Sequence, residues 1–248
     1  MQQSGSIQPV QNRVFNRDAV VQVVRFDDQH FCLVIDDALL EPDRWVQFAR
    51  ARRDEFHAVN FSLYPGTYLM APVELEESLT EFFRYQVRRH FDARRCVTAL
   101  CRFSMVTLSP QALTPIQWIC HRDNTSLAAG LSMQASVLYL FHDQSLGGTS
   151  FYTPTRSDIE IATLFSDAKQ LEPQAFSSKY GIHAGYMQQS NEYFRRLGGV
   201  EAKWNRLIFY DGGMLHSSDI PAPERLTTDP LSGRLTVNGF FTCSRNLA

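Results

Sequence analysis

Disulfide chemistry has little to work with in this 248-residue chain. Its five cysteines, Cys32, Cys96, Cys101, Cys120 and Cys243, are odd in number and form no CxxC pair. That argues against a disulfide-stapled scaffold and against paired-cysteine zinc sites, and leads us to expect reduced thiols in a cytoplasmic protein. No run of residues approaches a membrane span, and the leading MQQSGSIQPVQNR has no apolar signal-peptide core, so neither a membrane nor export is expected. Charge of one sign is also lacking. A net charge of −2 gives no bulk field to draw nucleic acid or anionic lipid. Short basic clusters (Arg50, Arg52, Arg53; Arg88, Arg89; Arg94, Arg95) sit beside carboxylates or on helix-like stretches and read as solvated faces. The GxSxG elbow, the Walker loop, GxGxxG and HExxH are all missing, which removes the common hydrolase, nucleotide and metalloprotease signatures.

What is present is ordinary for a globular protein: 44% hydrophobic, 20% charged and 12% aromatic residues. The length suits a single domain, residues 1–248, with a sizeable core. Residues 1–17, rich in Gln, Asn and Ser, read as a loose lead-in. Two β-rich segments, 19–26 and 31–35, flank the turn-like Asp27-Asp28-Gln29. Pro42 and Asp43 open an amphipathic helix over 43–56, and a Tyr-, Pro- and Gly-containing loop covers 62–68. Leu79, Phe82, Phe83, Val87 and Phe91 recur at helical spacing and predict a helix over 74–91. Strands are then predicted at 98–108, 116–121, 135–141, 149–152, 207–210 and 234–243. Residues 155–203 interrupt this series as a partly helical insertion, with helices expected at 158–168 and 187–197. The pattern is mainly β with flanking α: a β-sandwich or jelly roll supported by N-terminal helices.

Three short motifs carry chemistry. His121 and Asp123 close a predicted strand, where residues i and i+2 share a face, so an imidazole and a carboxylate aim into one space. Taken alone, His-x-Asp also describes a surface loop pair. A second β-rich run, Leu207 to Tyr210, leads through Gly212-Gly213 to a lone His216. Third, Arg234 opens an apolar strand and would be buried at its base, where a guanidinium calls for an anion. Its fork suits a carboxylate, and Thr236 shares its face. His30, His57, His90, His142 and His183 have no partner at metal spacing. The best decoy, His142-Asp143, points its side chains to opposite faces. Cys120 alternates away from His121 and reads as a small buried hydrophobe. The aromatics Phe176, Tyr180, Tyr186, Tyr193 and Phe194 fit ordinary packing better than a substrate mouth. Tyr64, Tyr68 and Met70 are further candidates for lining a site. His121-Arg122-Asp123 spells a kinase catalytic triplet, but the other kinase motifs are absent.

The order His-x-Asp, distant His, then Arg resembles the Fe(II)- and 2-oxoglutarate-dependent oxygenases, nearest to the prolyl-4-hydroxylase-like bacterial branch. Gly147-Gly148-Thr149, Asn205-Arg206-Leu207 and the opening Phe31-Cys32-Leu33-Val34-Ile35-Asp36 add to the likeness, which covers nearly the whole chain. The resemblance implies a double-stranded β-helix, or cupin-like jelly roll. It implies His121, Asp123 and His216 as ligands of Fe(II), and Arg234 with Thr236 as the binding site for the distal carboxylate of 2-oxoglutarate. O2 would be the second co-substrate, and a small molecule, amino acid or peptide side chain the substrate. The presence of Asp123 argues for hydroxylation over halogenation. Two other readings stand beside it. A non-catalytic metal-binding jelly roll, acting as a sensor or binding module, would have no need of Arg234. A zinc hydrolase would also suit two His and one carboxylate. The sequence is silent on oligomeric state.

Overall fold

The computed structural model describes residues 13–58, 64–123 and 127–246. Among them the architecture is mainly β, with antiparallel sheets and few helices. In chain order the elements are β1 (Val21–Arg25), β2 (Phe31–Ile35), α1 (Pro42–Ala51), β3 (His57–Ala58), β4 (Gly66–Met70), α2 (Val73–Phe82), β5 (Arg95–Val106) and β6 (Leu131–Tyr139). They continue with β7 (Thr149–Pro154), α3 (Asp158–Gln170), α4 (Pro173–Tyr180), β8 (Phe194–Val200), β9 (Arg206–Asp211), β10 (Leu215–Ser218) and β11 (Arg234–Ser244). An eight-stranded sheet runs β1-β2-β9-β6-β11-β5-β4-β3, and a three-stranded sheet runs β10-β7-β8.

Alternation along the central strand sets the layers. In β11, Leu235, Val237, Phe241 and Cys243 join Trp45 and Val46 of α1 and Leu75 and Leu79 of α2 in one core beneath the large sheet. Phe241 stacks on Phe83 at 4.2 Å between ring centroids. The intervening residues, Arg234, Thr236, Asn238 and Phe240, face the other way and line a cavity shared with Thr149 of β7 and His216 and Ser218 of β10. The cavity therefore lies between the two sheets. On one flank, Tyr139, Phe151, Ile208 and Tyr210 close it off. On the other, Trp118, Ile119 and Tyr152 pack with α3 and α4.

Several expectations need correction. Residues 116–121 are not a strand. Thr114 and Gln117 form a reciprocal cap with Pro115 at the first position, giving a 3-10 turn at Pro115–Gln117. The apolar run there reflects burial of Ile116, Trp118, Ile119 and Cys120 rather than a two-residue period. Residues 187–197 are not a helix. The Asn191 carboxamide oxygen accepts from the amides of Tyr193 and Phe194, and the chain then enters β8, whose Gly198-Gly199 disfavour a helix. The expected loop at 62–68 becomes β4 from Gly66; its positions 62 and 63 fall outside the described residues. The helix over 74–91 is broken into α2, a π-helical turn at Phe83–Val87 and a 3-10 turn at Arg88–His90. The end of the lead-in is anchored, with Val14 and Phe15 buried and Phe15 bridged to Leu39; its residues 1–12 lie outside the described set. No described helix is long and apolar enough to cross a membrane.

Candidate metal centre

Backbone pairing brings the first ligands together. His121 and His216 exchange amide-to-carbonyl hydrogen bonds, both at 2.9 Å, in an isolated antiparallel bridge. The Asp123 amide then donates to the Gly212 carbonyl at 2.9 Å, and the Gly212 amide to Met133 at 2.9 Å, which fixes the carboxylate against the starts of β6 and β10. One donor atom from each of His121, Asp123 and His216 lies within 4.8 Å of the other two. His121 Nε2 is 3.9 Å from Asp123 Oδ1, and His216 Nε2 is 3.5 Å from Asp123 Oδ2. His216 Nδ1 donates to the Met214 carbonyl at 3.0 Å; because a carbonyl only accepts, the hydrogen sits on Nδ1 and Nε2 keeps its lone pair for a ligand.

The electrostatics of the cluster suit a cation. Asp123 Oδ2 is buried with no hydrogen-bond partner. Burial raises the Asp123 carboxyl above the ordinary value, against the lowering effect of His121 and Arg102. Burial also lowers His216 to about 4. His121 falls to about 4 by burial first and by the neighbouring His216 second; about a third of its side chain meets solvent, so screening makes this the softer shift. Two imidazole nitrogens and a carboxylate oxygen gathered in this way could hold a divalent metal ion.

Arg234 sits in the same cavity, 2% exposed. Its Nε donates to the carbonyls of Leu146 (3.0 Å) and Gly147 (3.2 Å), and Nη2 donates to Gly148 (2.8 Å). Gly147 supplies that arc of carbonyls from a left-handed conformation, φ 76°, and a Cβ there would fall 1.6 Å from the Asp219 carbonyl oxygen. Of the five N–H groups of a guanidinium, Nε–H and one Nη2–H are thereby used. No carboxylate among the described residues pairs with Arg234. Thr236 is buried two positions along, and its Oγ1 donates to the Ser104 carbonyl at 3.3 Å.

All five residues singled out in the sequence, His121, Asp123, His216, Arg234 and Thr236, therefore line one cavity of about 190 Å³, more than ten times what a single water needs. Tyr64 and Tyr68 line it as well, whereas Met70 is exposed. The insertion aromatics do not; Phe176 and Phe194 are fully buried in the core beside α3 and α4. The decoy is dispersed, His142 stacking on Trp204 at 4.0 Å and Asp143 pairing with Arg225. Arg102, Tyr210 and Asn238 were missed. The signal lay in strand parity: Arg102 alternates with the core residues Cys101 and Phe103, and Asn238 shares the parity of Arg234. Asn124, next to the triad, lies outside the described residues.

A family model matches residues 17–241. The chain belongs to the family of unknown function DUF6445. No curated protein matches it. Among solved structures, this DUF6445 member is similar to the non-heme alpha ketoglutarate dependent carbocyclase SnoK from nogalamycin biosynthesis, at 11% identity and a TM-score of 0.48, over 86% of this chain and 79% of that one. It is also similar to the epimerase SnoN from the same biosynthesis (9%, 0.47, over 86% and 80%). A third is HygX from Streptomyces hygroscopicus, solved with nickel and 2-oxoglutarate bound (7%, 0.42, over 87% and 83%).

Proposed function

We propose that this chain is an Fe(II)- and 2-oxoglutarate-dependent oxygenase built on a double-stranded β-helix, related to the prolyl-4-hydroxylase-like bacterial branch, that hydroxylates a small molecule, amino acid or peptide side chain. The observation that carries the reading is one cavity holding both a His-Asp-His cluster and a buried guanidinium with no counter-ion among the described residues. A metal site that only sensed or bridged would leave the buried Arg234 charge with carbonyls alone and no counter-ion among the described residues, which is costly. A keto diacid removes that cost.

In this reading His121, Asp123 and His216 hold the iron, and Arg234 with Thr236 takes the distal carboxylate of 2-oxoglutarate. The carbonyls of Leu146, Gly147 and Gly148 aim the guanidinium so that its remaining N–H groups meet the carboxylate as a preformed fork. The Met214 carbonyl keeps Nε2 of His216 unprotonated. Tyr139, Phe151 and Tyr210 exclude water from the walls. When bound, the metal and keto acid supply O2-dependent oxidation with release of succinate and CO2; the protein supplies placement and exclusion.

Anaerobic addition of Fe(II) and 2-oxoglutarate tests this. A visible metal-to-ligand charge-transfer band is expected, absent from His121→Ala and Asp123→Ala, and requiring at least thirty-fold more 2-oxoglutarate in Arg234→Gln, on the order of 2 kcal/mol or more for an unpaired buried anion. Wild-type protein that binds the metal but gives no band and, once O2 is admitted, no succinate would leave the binding-module reading in its place.

A further inference from the structure

Arg102 lies in the same cavity, and beyond its charge near Asp123 it has no role in the site described so far. It projects from β5 opposite Asn238 of β11, on the inward parity. Its guanidinium is sandwiched between two rings, with Cζ 3.8 Å from the Tyr68 centroid and 4.9 Å from that of Phe240. Its Nε is buried without a hydrogen-bond partner, and it makes no ion pair among the described residues. Stacking holds the plane in place while leaving the edge of the fork free. That edge is what a carboxylate recognises.

Position and charge both assign this edge to something other than 2-oxoglutarate. About 13 Å of strand separates Arg234 from Asn238, the cross-strand partner of Arg102. In the proposed reading, the distal carboxylate of 2-oxoglutarate is already on Arg234 and its keto-acid end is on the metal. Arg102, Asp123 and Phe240 also line a second, outer groove of about 440 Å³ that continues past Thr98, Leu100 and Met133. Arg102 thus stands where the inner cavity meets the outer groove. The inner cavity is lined by Arg102 and Arg234, with the exposed Arg122 at its edge, against the single carboxylate of Asp123. A divalent metal and a doubly charged keto acid cancel one another, so the loaded site still carries a positive excess.

We infer that the substrate is a carboxylic acid that enters along the outer groove and is anchored by Arg102, which makes Arg102 a specificity-determining residue. The inference rests on the oxygenase reading. The anchored acid lies beside Asp123, and its nearest C–H bonds face the open side of the triad.

The test uses full-length protein loaded anaerobically with Fe(II) and 2-oxoglutarate. Amino acids and simple aliphatic and aromatic monocarboxylates are each tried beside the matching primary amide, with phosphate monoesters of similar size as a third arm. Two responses are read: the shift in thermal midpoint and, after O2 is admitted, succinate release above the substrate-free rate. At least one acid is expected to raise both, with its amide inert. Arg102→Gln is expected to raise the half-saturating acid concentration at least ten-fold, and Arg102→Lys by less with the same ranking of acids. A wild type without the charge-transfer band fails the oxygenase reading itself. A wild type that shows the band but responds to no acid, to acid and amide alike, or only to phosphates overturns the assignment of Arg102. So does an Arg102→Gln protein that answers acids like wild type, or one whose band is lost because the residue served 2-oxoglutarate.

Discussion

At the scale of one residue, Asp123 carries a burial cost that the proposed metal would relieve. Its Oδ2 is buried, faces His216 Nε2 at 3.5 Å and accepts no hydrogen bond. In the metal-free protein that carboxylate costs free energy, because burial outweighs the help it has from His121, Arg102 and the Tyr210 hydroxyl. Asp123→Asn removes the charge and offers an N–H to the unprotonated His216 Nε2. The metal-free variant is therefore expected to unfold at a higher denaturant midpoint than wild type, by on the order of 1 kcal/mol. The same variant is expected to lose the stabilisation that Fe(II) or Mn(II) confers on wild type. Chemical denaturation with and without metal measures both; an Asp123→Asn protein less stable than the metal-free wild type would show that the carboxylate is structurally satisfied.

Among the elements, the turn between β6 and β7 links backbone conformation to the site. Gly147 is in the left-handed region, and its Cβ position is filled by the Asp219 carbonyl. Gly147→Ala must shift either that carbonyl or the arc that holds Arg234. It is expected to cost about 1–3 kcal/mol of stability and to weaken 2-oxoglutarate more than metal. Calorimetric titration of the two ligands separates these effects. The importance of this turn was visible in the sequence only as a glycine pair. What could be read directly were features with a local cause: β2 from its apolar run, α1 from Pro42 and the helical stretch at 158–168 that is α3. What could not were features decided by partners far away in the chain. His121 and Asp123 converge because residues 121–123 bond to 212–216, not because they end a strand. Strand β8 arises in a segment whose spacing suggests a helix because β7 offers it an open edge. The candidate site residues stood out because their types are rare in a core and follow a recognisable order; Arg102, alone in an apolar strand, belongs to no such order.

The whole molecule's response to acid follows from the same buried groups. His216 holds its proton only below about pH 4 when folded, against an ordinary 6.5 when unfolded, and His121 is shifted the same way. Between those values the unfolded chain binds more protons than the folded one, so stability falls as pH drops from 6.5 toward 4. Asp36, lowered to about 2 by Arg206 and Lys203, extends the loss below pH 3.8. Asp123 opposes the trend: its raised value lets the folded state take up a proton first. The metal-free protein is expected to lose stability through the 6.5-to-4 window, and His216→Asn is expected to flatten that slope. Denaturation midpoints at successive pH values read both, and a wild-type slope unchanged by His216→Asn would contradict the assignment.

The paired main-chain bonds between His121 and His216 also set how an ion arrives. The main chains of two of the three candidate donors are already fastened to each other, so in the proposed reading capture would need no prior rearrangement of that bridge. Rapid mixing with Mn(II) or Fe(II) is then expected to give a single exponential whose rate climbs in proportion to metal concentration, a docking event rather than a gated one.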